Sequence, residues 1–269
     1  MPTIEQNRRA WDTDLGWKNA DAGDRWSDWW GGPEAQWRFS LRPRIGELLP
    51  APTVLEIAPG FGRWTVFLKE LCQRLIVVDL SELCIRTCRS RFANDRHIEY
   101  HVNDGRSLAP VMDGSIDFVF SFDSLVHADA DVLESYVREV ARVLSPDGVA
   151  FIHHSNWGAY MRYATVTDLI PTRVLRKALA KARLIEGEGH WRARDMTASR
   201  FAQLVSSAGL QCRSQELVNW RIRRLSDCIS VFTRPGSRWA RSNVVNVNSH
   251  FPLEAACVRR IAPTYIRSA

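Results

Sequence analysis

At 269 residues the chain is long enough to bury one full α/β core and short for two independent domains. Apolar residues at 45% and charged ones at 25% mark a folded chain and exclude long disorder. The net charge of +6 leaves an anionic partner open, whereas the charged start MPTIEQNRRAWD and the lack of a spanning-length apolar run predict a cytoplasmic protein with no membrane partner.

The first stretch is rich in tryptophan: six of the eleven fall before residue 38, at Trp11, Trp17, Trp26, Trp29, Trp30 and Trp37. Two readings stand side by side, a helical cap packed on a sheet and side chains that line or cover a ligand cleft. From Thr53 onward, short β-branched runs alternate with longer helical patterns, the signature of βαβ units and a mainly parallel sheet. Strands are expected at 53–58, 74–80, 97–102, 115–122 and 148–155, with helices at 63–73, 81–92 and 131–144. Ser81 and Asp129 or Asp131 are placed to cap two of the helices, and Ser145-Pro146-Asp147-Gly148 reads as a turn into the fifth strand.

After that strand the repeat breaks. Residues 156–195 hold a basic, helix-like segment with Arg173, Arg176, Lys177, Lys181, Arg183, Arg192 and Arg194, followed by a second basic group at Arg221, Arg223 and Arg224. A solvated helix face and a site for an anionic polymer both fit. A helix at 197–208 and strands near 211–217 and 228–233 then complete seven strands, the last two a hairpin, and a short helix is expected at 253–261. The six cysteines form no CxxC pair and read as reduced, structural residues. The expected architecture is an α/β, Rossmann-like sheet of seven mainly parallel strands with helices on both faces. It divides into a helical cap at 1–50, a core at 51–155, an inserted lid at 156–196 and the remainder at 197–269.

The strongest chemical signal is Leu55-Glu56-Ile57-Ala58-Pro59-Gly60-Phe61-Gly62-Arg63-Trp64, between the first strand and the first helix. Glycines there let the backbone approach a ligand and turn a helix N-terminus toward it. Asp79 stands 19 positions after Gly60 at the tip of the second strand, where a carboxylate accepts both ribose hydroxyls of a nucleoside. Arg63-Trp64-Thr65 replaces the third glycine of a dinucleotide loop, and Asp104-Gly105 after the third strand lies within reach of an adenine edge.

With these motifs in order, residues 53–155 resemble the class I S-adenosylmethionine-dependent methyltransferases, in which a segment similar to Arg142-Val143-Leu144-Ser145-Pro146-Asp147-Gly148 precedes the fifth strand. The resemblance implies a cofactor loop of Glu56, Ala58, Gly60 and Gly62, with Asp79 and Leu80 at the ribose and Asp104 and Gly105 at the adenine. Ser121 and Phe122 would lie beneath the cofactor. Ala58 departs from the glycine usual in the family. Trp29-Trp30-Gly31-Gly32-Pro33-Glu34-Ala35-Gln36-Trp37 looks like a subgroup acting on sugars and glycans, which would set Trp30 and Gln36 over the methionine end.

On the acceptor side, His127 follows the fourth strand and His153 and His154 lie in the fifth; related O-methyltransferases place a base at the position of His127. His153 or His154 would orient the acceptor or share that task, and Asp123 with both histidines offers a divalent cation such as magnesium a minor, alternative role. The chain has no Pro-Pro-aromatic run after the fourth strand and no cysteine between Cys88 and Cys212, which argues against nucleobase methylation and a nucleic-acid partner. The expected activity is methylation of a hydroxyl on a small-molecule or glycan acceptor, with a homodimer as the assembly considered. An N-methyltransferase for a small amine and an inactive cofactor-binding subunit are the alternatives.

Overall fold

The computed structural model describes residues 3–14, 23–170, 172–182, 192–220 and 223–266. Trp17, Arg183 and Arg221 of the sequence reading lie outside them. The strands are β1 (Ala51–Ile57), β2 (Cys72–Asp79), β3 (Ile98–Val102), β4 (Ile116–Ser121), β5 (Leu144–Ser155), β6 (Gln211–Val218), β7 (Asp227–Thr233) and β8 (Val244–Asn248). They form one sheet in the order β3-β2-β1-β4-β5-β7-β6-β8. The first five run parallel, β7 is antiparallel to both β5 and β6, and β8 returns parallel to β6.

The seventh-strand expectation is therefore one short. β8 is an edge strand whose Val244, Val245 and Val247 are exposed, so it lacks the apolar alternation by which a half-buried strand is read. Two boundaries also move. The fifth strand starts at Leu144 and takes in the expected Ser-Pro-Asp-Gly turn, with an irregular register between Ile116 and Phe118. The helix expected at 63–73 shrinks to Thr65–Leu68 and a tight turn, Lys69–Leu71, because Cys72 already pairs with Ala51.

Strand periodicity splits the interior into two cores. On one face lie Val54, Leu75, Val77, Phe118, Phe120 and Phe151, covered by the N-terminal segment and the C-terminal helix Phe251–Tyr265. On the other lie Leu55, Ile57, Ile76, Val78, Val119 and Ile152, covered by helices Ala130–Val143 and Ala198–Ser207. Ser81 caps helix Glu82–Arg91 by accepting from Cys84 N–H, as expected. Asp129 occupies the N-cap of the later helix without making that bond; the Asp195 carboxylate accepts from Ala130 N–H instead, at 3.1 Å.

Trp30 and Trp37 are core residues: Trp30 meets Phe251 edge-on at 5.0 Å between ring centres, and Trp37 stacks on Phe67 at 5.1 Å. Beside them the Arg44 guanidinium joins three parts of the chain. It donates to both Glu216 carboxylate oxygens at 2.7 and 2.8 Å, to both Glu254 oxygens at 2.8 Å and to Ser40 O at 2.7 Å. Four cysteines are buried as small apolar groups and all six are free.

Candidate active site

At the C-terminal ends of β1, β2 and β4 the sheet opens into a cavity of about 430 Å³. Its floor is the loop after β1. Ala58 leaves the strand with φ of +57° while its N–H still donates to Val78 O at 2.8 Å, and Gly60 and Gly62 continue the turn at +58° and +84°. A Cβ on Gly62 would stand 2.5 Å from the Phe92 ring, so packing behind the loop demands glycine there. A Cβ on Gly60 would face the cavity, 3.9 Å from Trp11.

Asp79 ends β2 at the edge of this cavity and is tied into the loop: it accepts from Ser81 N–H at 2.8 Å and from Gly60 N–H at 3.2 Å. Burial pushes its pKa up to about 7 against the opposing pull of those N–H donors, with the Asp12 carboxylate adding to the rise. Glu56, fully buried, accepts from Thr65 Oγ1 at 2.5 Å; burial raises it to about 8, and its Oε1 has no hydrogen-bond partner.

Of the residues assigned to the cofactor from sequence, Ala58, Gly60, Asp79, Leu80 and Gly105 line the cavity. Asp104 does not; its Oδ1 accepts from Arg106 and Ser107 N–H and shapes the turn that presents Gly105. Trp30, Gln36, Glu56, Ser121 and Phe122 lie buried behind the cavity wall rather than on it. Yet Trp30 Nε1, both Gln36 amide atoms, Glu56 Oε1 and Ser121 Oγ are all buried without a protein partner. Such polar atoms are costly unless something hydrogen-bonds to them. Polar donors and acceptors of this kind fit the amino and carboxylate groups of a methionine moiety, as Asp79 fits a ribose.

The opposite wall comes from Trp11, one of the tryptophans with a cleft-lining reading, and from residues before it that the sequence did not point to. Helix Ile4–Arg9 and the turn after it lay Thr3, Ile4, Asn7 and Trp11 over the cavity. Ile4 touches Gly105, where a Cβ would stand 3.0 Å from its Cγ2, and Ser81 Oγ donates to Asp12 at 2.5 Å. The capping box of Thr3 and Gln6 that starts this helix was visible in the sequence as a Thr-x-x-Gln pattern. Among the described tryptophans Trp11 is thus the one that borders the cavity, whereas Trp26 is exposed.

The three candidate histidines separate cleanly. His127 lines the cavity next to Ser124 and Asp129. His153 and His154 are adjacent on a strand and face opposite ways. His153 is fully buried: its Nδ1 accepts the Asp123 N–H at 3.1 Å, its ring stacks on Phe122 at 4.6 Å, and Nε2 is 3.4 Å from the Asp227 carboxylate. That contact is too poorly aligned to count as a hydrogen bond. Asp227 is gripped by Arg192 at 2.8 Å on each oxygen; although burial works the other way, the guanidinium charge holds this carboxyl well below its usual range. His154 sits in the other core, stacked on Phe201 at 3.9 Å and bonded to Ser155 O and Ser230 Oγ, with burial lowering its pKa to about 3.

Asp123, at φ +65°, turns its carboxylate to Arg63 at 3.0 Å. Asp123, His153 and His154 therefore do not fit a divalent cation: one imidazole lies on the far face of the sheet and the carboxylate is engaged by an arginine. Among the described residues no group of three His, Cys, Asp or Glu side chains is placed to hold a metal ion.

Residues 55–152 match the family model described as a methyltransferase domain. No curated protein matches the sequence. Among solved structures the chain is similar to the N-methyltransferase NodS of Bradyrhizobium japonicum WM9 in complex with S-adenosyl-l-homocysteine, at 15% identity and a TM-score of 0.54, covering 87% of this chain and all (100%) of that one. It is also similar to the PH0226 protein of Pyrococcus horikoshii OT3, at 19% identity and a TM-score of 0.52 over 84% of this chain and 95% of the other. A SAM-dependent methyltransferase from Methanosarcina mazei gives 16% and 0.52 over 71% and 97%. These likenesses show the fold, and the sequence match falls on the strands and loops that build the cavity. Residues 55–152 accordingly carry the methyltransferase-domain match, on a fold shared with an S-adenosylmethionine-dependent methyltransferase.

Proposed function

We propose that this enzyme methylates a hydroxyl of a small polar acceptor, a sugar or oligosaccharide first among them, with His127 as general base. The observation that carries the reading is the position of His127 on the cofactor cavity, which His153 and His154 do not line. Bound S-adenosylmethionine supplies an electrophilic methyl on a sulfonium. Asp79 and the Gly60 loop hold the nucleoside end, and Glu56, Gln36 and Trp30 supply donors and acceptors for the methionine end. The acceptor oxygen approaches in line from the His127 side, and the imidazole takes its proton as attack proceeds.

A second reading rests on Asp129, a carboxylate beside His127 on the same cavity. It is suited to hold an ammonium group, which points to N-methylation of a small amine. A transfer screen with labelled cofactor against sugars, glycosides, phenols and small amines tests both. Turnover of a hydroxylic acceptor that collapses in His127→Ala supports the first reading. Turnover of amines alone, insensitive to His127→Ala, overturns it.

A further inference from the structure

Between β5 and helix Ala198–Ser207 the chain inserts two helices, Met161–Asp168 and Arg173–Lys181. Their large apolar side chains do not all pack inward. Within ten residues, Val166, Leu169, Val174 and Leu175 are 65, 77, 78 and 44% exposed. Isolated exposed apolar residues need no explanation, but a cluster marks a surface that something covers.

From Leu169 onward the sequence is basic. Residues 169–185 carry Arg173, Arg176, Lys177, Lys181 and Arg183 and not one carboxylate. At 100° per residue, positions 173, 176, 177 and 181 share one side of the helix, and 174, 175, 178 and 179 share the other. A helical sequence with basic positions on one side and apolar positions on the other, Val174 and Leu175 of them exposed, is that of a helix lying in the plane of a lipid headgroup layer. A soluble polyanion would use the cations and leave the apolar side without a partner. Among the described residues no helix is long and apolar enough to cross a membrane, so the helix would lie on a bilayer rather than in it.

We propose that helix Arg173–Lys181, with Val166 and Leu169 of the preceding segment, docks the protein on the surface of an anionic lipid bilayer. Aliphatic side chains enter the headgroup boundary and the arginines and lysines meet lipid phosphates, each cation contributing roughly fivefold to partitioning. The segment that leads into this helix is tied to the body of the protein. Arg224 lies over the Tyr163 ring at 3.3 Å, Leu225 N–H donates to Tyr160 Oη at 3.2 Å, and Arg194 pairs with Asp168 at 2.5 Å.

The test is co-sedimentation of the full chain with vesicles of phosphatidylglycerol mixed with phosphatidylcholine, and with vesicles of phosphatidylcholine alone. Expected are binding to the anionic vesicles that weakens with salt, little binding to the zwitterionic ones, and a loss of tenfold or more in a Val174→Asp, Leu175→Asp double variant. Lys181→Ala should lose roughly fivefold. Both variants change exposed positions, and an unchanged melting temperature with unchanged S-adenosylhomocysteine binding certifies their folding. Equal binding by wild type and double variant overturns the proposal. So does absent vesicle binding, whether accompanied by polyphosphate binding that survives Val174→Asp, which would mark a polymer site, or by a dimer that Val174→Asp dissociates, which would mark a second copy as the occupant.

Discussion

The backbone N–H of Asp123 points at Nδ1 of His153 from 3.1 Å. That bond uses the lone pair a general base would need and leaves the proton on Nε2, toward Asp227. His153 thus positions the turn after β4, and the proposed base is His127. His127→Ala should lower kcat by ~10²–10⁴-fold. His153→Ala should lower it less than tenfold while costing about 1–3 kcal/mol of stability. Steady-state kinetics beside denaturant unfolding of both variants distinguishes the roles.

Arg192 and Asp227 form a buried pair with both oxygens engaged. Removing one partner strands the other charge in the core, so Asp227→Asn should cost about 3–5 kcal/mol, read as a lower unfolding midpoint at unchanged slope.

Burial raises Asp79 to about 7 and Glu56 to about 8. In the window between the unfolded carboxylate pKa and these values the folded chain holds more protons than the unfolded one. Stability from these two groups is thus full in acid and lost as pH rises through 7 to 8. Asp79→Asn and Glu56→Gln should each flatten the fall in melting temperature between pH 5 and pH 8, at about that range of titration. Asp79→Asn should also weaken S-adenosylhomocysteine binding, measured by calorimetry.

Ala58 adopts a left-handed φ that costs a side-chain-bearing residue about 1–2 kcal/mol. Ala58→Gly should therefore raise stability, by about 0.5–1 kcal/mol after the added flexibility of the unfolded chain is counted. Thermal melts of the ligand-free protein check it.

Gly60 and Gly62 answer differently to the same change. Gly62→Ala drives a methyl into Phe92 and should destabilise the fold, whereas Gly60→Ala places it in the cavity toward Trp11 and should weaken cofactor binding with the smaller loss of stability. Paired calorimetry and melting curves separate the two effects.

What the sequence disclosed follows from burial. β1, β2, β4 and β5 are covered on both faces, so their runs of valine, isoleucine and phenylalanine stand out, and the loop with Ala58, Gly60 and Asp79 follows from where those runs end. β8 displays its valines to solvent and offers no such pattern. His153 and His154 could be assigned to opposite faces from alternation alone, but which face carries the cavity depends on the layers stacked above. The Arg192–Asp227 pair joins segments 35 residues apart without any spacing rule. Trp11 and Trp30 look alike in sequence; only packing sends one to the cavity and the other beneath the C-terminal helix.

The Arg44 junction has a consequence for biosynthesis. Its partners Glu216 and Glu254, and the Phe251 ring beneath Trp30, are translated long after Arg44 and Trp30. The tryptophan-bearing segment is made well before helix Phe251–Tyr265 and must wait for it before it can settle, so a nascent chain halted short of that helix would hold this segment undocked.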